Sequence, residues 1–318
     1  MATTAQASDS LALRHWEWQY LELMRRIWTD GDERRDRTGV GTRSVFGAQL
    51  RFDLADGAMP LLSTKRVYWK TASREMLWFL TGSTNIRPLV LQNVKIWNEW
   101  PHARYVRETG DAIALDDFVA RIAGDEAFAS QWGDLGPVYG KQWVDWPTYE
   151  AAGEGLFRRG PGINQVAQVV DSLQRNPGSR RHIIEGWNVA ELDTMALPPC
   201  HKTYQFHVAG NRLNGLMYQR SCDVALGLPF NLWGAALLTR MLAQQTGYEP
   251  GELVWMGGDV HLYLNHGELV EAQLSREPSG QARLNILRQP DTIFDYRIED
   301  FEIVDYEPQG ALSAPVAV

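Results

Sequence analysis

The residues best equipped for chemistry crowd into one stretch, Met195 to Asn231. It opens Met-Ala-Leu-Pro-Pro-Cys-His, so the thiol of Cys200 follows directly on a proline pair. It runs on to Gln-Arg-Ser-Cys-Asp at 219–223 and Gly-Leu-Pro-Phe-Asn at 227–231. A thiol, a guanidinium, a carboxylate and a side-chain amide thus share a short length of chain. That set suits a cysteine nucleophile attacking a planar, anionic substrate with amide-like edges. Cys200 has a plain alternative, a buried structural thiol, since an unpaired cysteine packs as a small hydrophobe. Its neighbours argue for the nucleophile. Pro198 and Pro199 fix the backbone before it, His201 follows it, and Arg220 falls across a predicted hairpin, where a guanidinium favours the thiolate. Cys222 lacks such a setting and reads as structural.

Other candidates lie outside that stretch. Arg37, the pair Arg180-Arg181 and Arg220 could converge on a dianion in the fork geometry a phosphate prefers; the plain alternative is solvated surface groups. Glu75 is a carboxylate among Met76, Leu77, Trp78 and Phe79, and must be paired, protonated, functional or turned to solvent. Burial would raise its pKa and suit it to acid–base work. Asn231 offers a donor and an acceptor that can read a pyrimidinone edge, or it caps a helix starting at Leu232. Asp223 has a similar loop setting. Gly257-Gly258 reads as a glycine turn, and His261 and Tyr263, two apart after it, share a face if extended and could bond sugar hydroxyls. A metal reading is weak, with no Cys/His spacing for zinc and no His-x-x-x-His pair. No Walker loop or dinucleotide glycine fingerprint is placed between a strand and a helix.

The elements that must position these groups follow from periodicity. Residues 1–12 read as a mobile tail. Helices are predicted over 13–28, 71–80, 116–123, 163–173, 232–245 and 264–276. Strands are predicted from Phe46, Ala48, Leu50 and Phe52, over 183–189, and over 202–208 and 213–219 joined at Gly210-Asn211, with weaker signals at 284–287 and 301–304. Residues 32–42 read as a charged, glycine-rich loop. The segment 101–131 reads as an insertion within one domain spanning 13–318. Intermixed strands and helices place the fold in the α/β (α+β) class, a mixed β-sheet flanked by helices.

The chain has 318 residues and a net charge of −8, which argues against a nucleic-acid-coating surface. It does not exclude a small phosphorylated ligand, which needs only a few local arginines. Two cysteines imply no disulfide framework. No run is long and apolar enough for a membrane helix, and the first residues lack a signal-peptide pattern, so the cytoplasm is the expected compartment.

From about Arg37 to Val318 the chain resembles the thymidylate synthase family. The resemblance is carried by Asp-Arg-Thr-Gly-Val-Gly-Thr (36–42), Glu-Met-Leu-Trp-Phe-Leu (75–80), Ile-Trp-Asn-Glu-Trp (96–100), Gly-Asp-Leu-Gly-Pro-Val-Tyr-Gly (133–140), Ser-Arg-Arg (179–181), Ala-Leu-Pro-Pro-Cys-His (196–201), Tyr-Gln-Arg-Ser-Cys-Asp (218–223), Gly-Leu-Pro-Phe-Asn (227–231), Gly-Gly-Asp-Val-His-Leu-Tyr (257–263), Gln-Leu-Ser-Arg-Glu-Pro (273–278) and Ala-Pro-Val-Ala-Val (314–318). It implies reductive methylation of dUMP, with 5,10-methylenetetrahydrofolate as one-carbon and hydride donor and no metal. By position, Cys200 would attack the uracil, Asn231 would read its edge, and Glu75 would manage protons with Tyr139 nearby. Arg37 and Arg220 would hold the phosphate, joined by Arg180 and Arg181 from the other subunit of a two-fold dimer formed through the sheet face. Ser221, Cys222 and Asp223 would also meet the nucleotide, and His261 and Tyr263 its sugar. Lys65, Arg66, Tyr68, Trp97, Trp100, Asp223, Gly227, Ala317 and Val318 would face the folate.

The chain departs from the family's usual residues at several points. Glu185 stands where a small residue is usual, Lys202-Thr203 replace an apolar or aromatic pair, and Leu232-Trp233-Gly234-Ala235 replace Ile-Ala-Ser-Tyr. Asn98 replaces an aspartate and Tyr68 a commoner histidine. The alternative within the superfamily is a pyrimidine nucleotide 5-hydroxymethylase, on dUMP or on dCMP/CMP. Asn231 favours uracil over cytosine, whose amino group needs an acceptor; Trp97 and the terminal Ala-Pro-Val-Ala-Val favour hydride transfer. A binding-only member would have lost Cys200, Arg220 or Asn231, and all are present.

Overall fold

A computed structural model of the chain describes residues 15–35 and 39–315. Arg37, Ala317 and Val318 lie outside the described residues, as does the 1–12 segment. Helix α1 (Glu17–Asp30) buries Tyr20, Leu21, Met24 and Ile27 along one stripe. Strands β1 (Asp32–Arg34) and β2 (Thr42–Asp53) follow. The expected loop at 32–42 therefore holds a short strand, paired antiparallel with the start of β2. Helix α2 (Trp69–Leu80) carries Glu75, and α3 (Arg87–Val90) is a single turn. Three helices, α4 (Glu99–Thr109), α5 (Leu115–Gly124) and α6 (Glu126–Trp132), occupy the segment where sequence periodicity gave only one. Their inward residues Tyr105, Phe118 and Phe128 pack together, Phe128 meeting the other two rings edge to face.

Helix α7 (Tyr139–Val144) precedes an exposed hairpin of β3 (Tyr149–Gly153) and β4 (Leu156–Arg159), then helix α8 (Gln165–Arg175). Strand β5 (Ile183–Glu185) is shorter than expected. Strands β6 (His201–Ala209) and β7 (Arg212–Asp223) form the expected hairpin, joined at Gly210-Asn211. Helix α9 (Gly227–Thr246) then leads to β8 (Glu249–Tyr263), helix α10 (Gly267–Leu274), and the paired strands β9 (Arg283–Ile286) and β10 (Phe301–Val304).

The main sheet has six strands in the order β1-β2-β8-β7-β6-β5. All its pairs are antiparallel except β7 with β8, whose crossover is α9. The chain is thus mixed α/β, as its pattern implied. Helices α1 and α9 cover one face of the sheet. Helix α9 is apolar nearly all round, because α2 packs on it from the other side.

Two strand expectations need correction. Gly257-Gly258 is not a turn but the middle of the fifteen-residue β8. A Cβ at Gly257 would collide with the indole of Trp255, so only glycine lets that ring fold flat against its own strand. Phe46 does not join Leu50 and Phe52 in the core. It stands 87 % exposed, next to Gly47 with φ 81°.

Candidate active site

The parallel pair fixes the site. In β7 and β8, Gln219 pairs with Gly257, Ser221 with Asp259 and Asp223 with His261. The polar residues therefore gather at the carboxyl ends of two parallel strands, beside the amino end of their crossover helix, which is the usual place for a ligand in such a sheet. A cavity of about 570 Å³ opens there, and Cys200, Arg220, Asn231, Glu75 and His261 all line it.

Cys200 sits half-buried at the entry to β6. Its N–H donates to the Tyr139 hydroxyl at 2.8 Å, and its carbonyl accepts the Arg220 N–H at 2.8 Å. Buried positions alternate along β7 up to Gln219, but the alternation breaks at Arg220 and Ser221, which are both half-buried, so Arg220 lines the cavity beside Gln219 and Ser221. Its Nη2 comes within 3.9 Å of Cys200 Sγ. The guanidinium is held from behind, Nε donating to the Pro199 carbonyl at 2.9 Å and Nη2 to that of Pro198 at 2.8 Å. The proline pair thus does more than stiffen the backbone; it supplies the acceptors that aim the cation. Burial pulls His201 down to about 3. Its ring is neutral and stacks near Tyr139 with centroids 4.3 Å apart. The cation beside the sulfur is therefore the guanidinium, which favours a thiolate.

Asn231 does not cap a helix. Helix α9 starts at Gly227, with Pro229 in its first turn, where a missing N–H costs nothing. The Asn231 amide turns to the sheet instead, and its orientation follows from a donor-only group. Trp255 Nε1–H donates to Gln219 Oε1 at 3.0 Å. Gln219 Nε2 then donates to Asn231 Oδ1 at 2.9 Å. An indole cannot accept, so both amides are set in series, and Asn231 keeps Nδ2 and one Oδ1 lone pair for a ligand.

Glu75 is buried, and desolvation raises it from its usual 4.5 to about 7, although the Trp97 Nε1–H donates to it at 2.8 Å. Burial thus outweighs the hydrogen bond, and the carboxyl is poised to exchange protons near neutrality. Trp233, one of the departures, is fully buried behind this helix and donates to Ser73 Oγ at 2.8 Å.

His261 and Tyr263 share a face, their rings edge-on at 5.4 Å. Asp259 Oδ1 bonds His261 Nδ1 at 3.0 Å, and Arg34 reaches Asp259 Oδ2 at 2.8 Å. The His261 hydrogen bond is the main cause holding Asp259 below its usual range. Asp223 Oδ1 accepts the N–H groups of Ala225 and Leu226 at 2.9 and 3.3 Å, and Ser221 and Gly227 complete that wall. On the opposite wall Trp97 and Trp100 are 5.3 Å apart.

Several expected residues lie off this cavity. Cys222 is buried on the other side of β7, and burial pushes its thiol up. The Lys65 ammonium donates to the Ala225 carbonyl, and its burial brings it down to about 8. Arg66 and Tyr68 line a separate cavity of about 440 Å³ with Arg74 and Tyr306. Arg180 and Arg181 are exposed beside β5. Asn98 is buried with no partner for Oδ1 among the described residues. Sequence reasoning missed Gln219, Asp259, Arg34 and Trp187. Gln219 had a signal, a polar residue at an inward position of an alternating strand.

Comparison with known proteins agrees with this geometry. Residues 18–318 match the family described as thymidylate synthase. The thymidylate synthase of Novosphingobium aromaticivorans is 78% identical over 306 residues, which is 96% of this chain and 98% of that one. That of Sphingopyxis alaskensis is 66% identical over 306 residues, again 96% and 98%. That of Rhizorhabdus wittichii is 60% identical over 305 residues, 96% and 99%. A match running from α1 to the last residue, through every strand that lines the cavity, means that this chain belongs to the thymidylate synthase family.

Proposed function

We propose that the protein converts dUMP to dTMP, taking a one-carbon unit and a hydride from 5,10-methylenetetrahydrofolate and releasing dihydrofolate. The observation that carries this reading is a thiol 3.9 Å from a guanidinium, in one cavity with an amide of fixed polarity. Cys200 Sγ adds to C6 of the uracil ring, and the electron pair moves onto C5 and O4. Asn231 Nδ2 donates to O4 as it gains charge, and the remaining Oδ1 lone pair accepts N3–H. A cytosine ring presents an amino donor at that position and meets a donor. Glu75, with a pKa of about 7, takes and returns protons through water on the C5 side. When C5 has been methylated, Cys200 leaves as thiolate.

Folate supplies the one-carbon unit and the reducing hydride when bound. Trp97 and Trp100 offer a flat apolar wall suited to its ring, and Asp223 and Gly227 edge the same space. Arg66 and Tyr68, in the separate basic cavity, are assigned to its acidic tail, and Lys65 to the support of that wall through Ala225. Arg37 and Arg220 hold the nucleotide phosphate with Ser221, and His261 and Tyr263 the sugar. Arg180 and Arg181, exposed and off their own cavity, fit the role of arginines lent to a partner across a two-fold dimer. Ala317 and Val318 are assigned to the folate side, and Cys222 to support of the nucleotide wall rather than contact. The catalytic domain is taken as 13–318 with 101–131 as an insertion, acting in the cytoplasm.

The test is to incubate the protein with dUMP and methylenetetrahydrofolate and weigh the nucleotide product. A methyl gain is expected, abolished in Cys200→Ala. A hydroxymethyl gain, heavier by one oxygen, would identify the hydroxymethylase instead; full turnover by Cys200→Ala would remove the thiol from the mechanism.

A further inference from the structure

Arg220 is held on one side by the carbonyls of Pro198 and Pro199. On the other, its guanidinium lies 5.2 Å from the centroid of the Trp187 ring. That is cation–π range. What fixes the backbone that carries the Trp187 ring is Glu185, whose Oε1 accepts the Trp187 main-chain N–H at 2.8 Å. Glu185 Oε2 is held in turn by the Thr203 hydroxyl at 2.6 Å and the Lys202 ammonium at 3.1 Å. The backbone of Glu185 is clamped at both ends by one amide. Gln165 Oε1 accepts its N–H at 3.0 Å, and Gln165 Nε2 donates to its carbonyl at 2.9 Å.

The sequence builds this cluster with one irregularity. Thr203 is the cross-strand partner of Glu185, and the β6–β7 register shifts between His201 and Thr203. Lys202 is the extra residue of a β-bulge, which breaks the strict alternation of side chains. His201 stays on the buried face against Tyr139, while both Lys202 and Thr203 reach the same carboxylate oxygen. Glu185, Lys202 and Thr203 thus meet in one contact.

We propose that Glu185 is a positioning residue for the cysteine's counter-cation: through Trp187 it sets the stance of the Arg220 guanidinium beside Cys200 Sγ, with Lys202 and Thr203 holding the carboxylate in place. It touches no reacting atom. Its effect is on how much of Cys200 is thiolate and how squarely Arg220 meets an anion. The proposal rests on the nucleophile reading of Cys200, and the test is arranged so that the two can fail separately.

The experiment is iodoacetamide labelling of Cys200, followed by peptide mass across the neutral and alkaline range, with no substrate present. Wild type is compared with Glu185→Ala and Glu185→Gln. The glutamine keeps an Oε1 acceptor for the Trp187 N–H, whereas the alanine keeps nothing. Glu185→Ala is expected to move the midpoint of the labelling profile up by about one pH unit, a roughly tenfold loss of thiolate below it. Its kcat/KM for dUMP should fall by a similar factor, and Glu185→Gln should recover most of both. An unchanged midpoint in a folded Glu185→Ala protein overturns the proposal, as does a Glu185→Gln profile displaced as far as that of the alanine. A loss of turnover that vanishes at high protein concentration also overturns it, since it would mean that the carboxylate serves subunit association instead. If labelling shifts as expected while no dTMP forms, the positioning role stands and the assigned reaction falls.

Discussion

At the scale of single residues, the site works by polarity set from behind. Trp255 never reaches the cavity, yet its indole decides which end of Asn231 a ligand meets. Glu75 shows the same dependence on surroundings in its titration. Its folded pKa of about 7 stands above the usual 4.5, so the fold binds its proton more tightly than the unfolded chain does. The stability this contributes is complete below 4.5 and is lost as pH rises through about 7. The loss amounts to about 3 kcal/mol. Glu75→Gln keeps an acceptor for the Trp97 indole and has no proton to lose. Denaturant midpoints should therefore show the variant gaining on wild type across that interval, with turnover falling at every pH. Parallel pH curves for the two proteins would show that Glu75 is not the buried acid described.

At the scale of elements, the decisive contact is the approach of α7 to α2. Gly140 packs so closely on the Phe79 carbonyl that a Cβ there would overlap it. Tyr139, its neighbour, donates the ring that stacks on Phe79 at 4.8 Å and the hydroxyl that bonds the Cys200 N–H. Gly140→Ala is expected to cost about 1–3 kcal/mol by overpacking. It should also slow Cys200 labelling, because Tyr139 would be pushed off the backbone that presents the sulfur. Thermal melts and alkylation rates check both; an unaffected melt would mean that the helices slide apart without cost. Much of this framework was legible in the sequence. The β6–β7 hairpin declared itself through alternation and Gly210-Asn211, and α1 and α2 through apolar spacing. What misled was punctuation. Gly257-Gly258 looked like a turn because glycine usually marks one, but here it clears room for Trp255. Gly227 and Pro229 looked like a break before Leu232, but proline fits a first turn, and the helix starts early. Among site residues, the thiol, the cation and the amide were readable from type and spacing. Of their supports, Gln219 left a trace as a polar residue at an inward strand position, but Trp187 and Asp259 left none, because a support is defined by what it touches across the sheet.

At the scale of the whole molecule, the sheet has one face under α1 and α9 and another that no helix of the described residues covers. On that second face Met256 is 38% exposed, and Ile183 is 40% exposed at its edge. If two chains close these faces on each other and exchange Arg180 and Arg181, mixing an Arg181→Ala protein with a Cys200→Ala protein should restore activity. Each hybrid then holds one intact site, about a quarter of wild-type activity at full random exchange. No recovery after verified exchange would return those arginines to ordinary surface duty. The uncovered face has a consequence for anyone seeking to silence the protein. Glu185, Lys202 and the back of Arg220 belong to that side of the sheet, so in such a dimer the seam and the chemistry share a wall. Dilution would then behave as an inhibitor, and a compound wedged against Met256 could disarm two sulfurs without competing for either pocket.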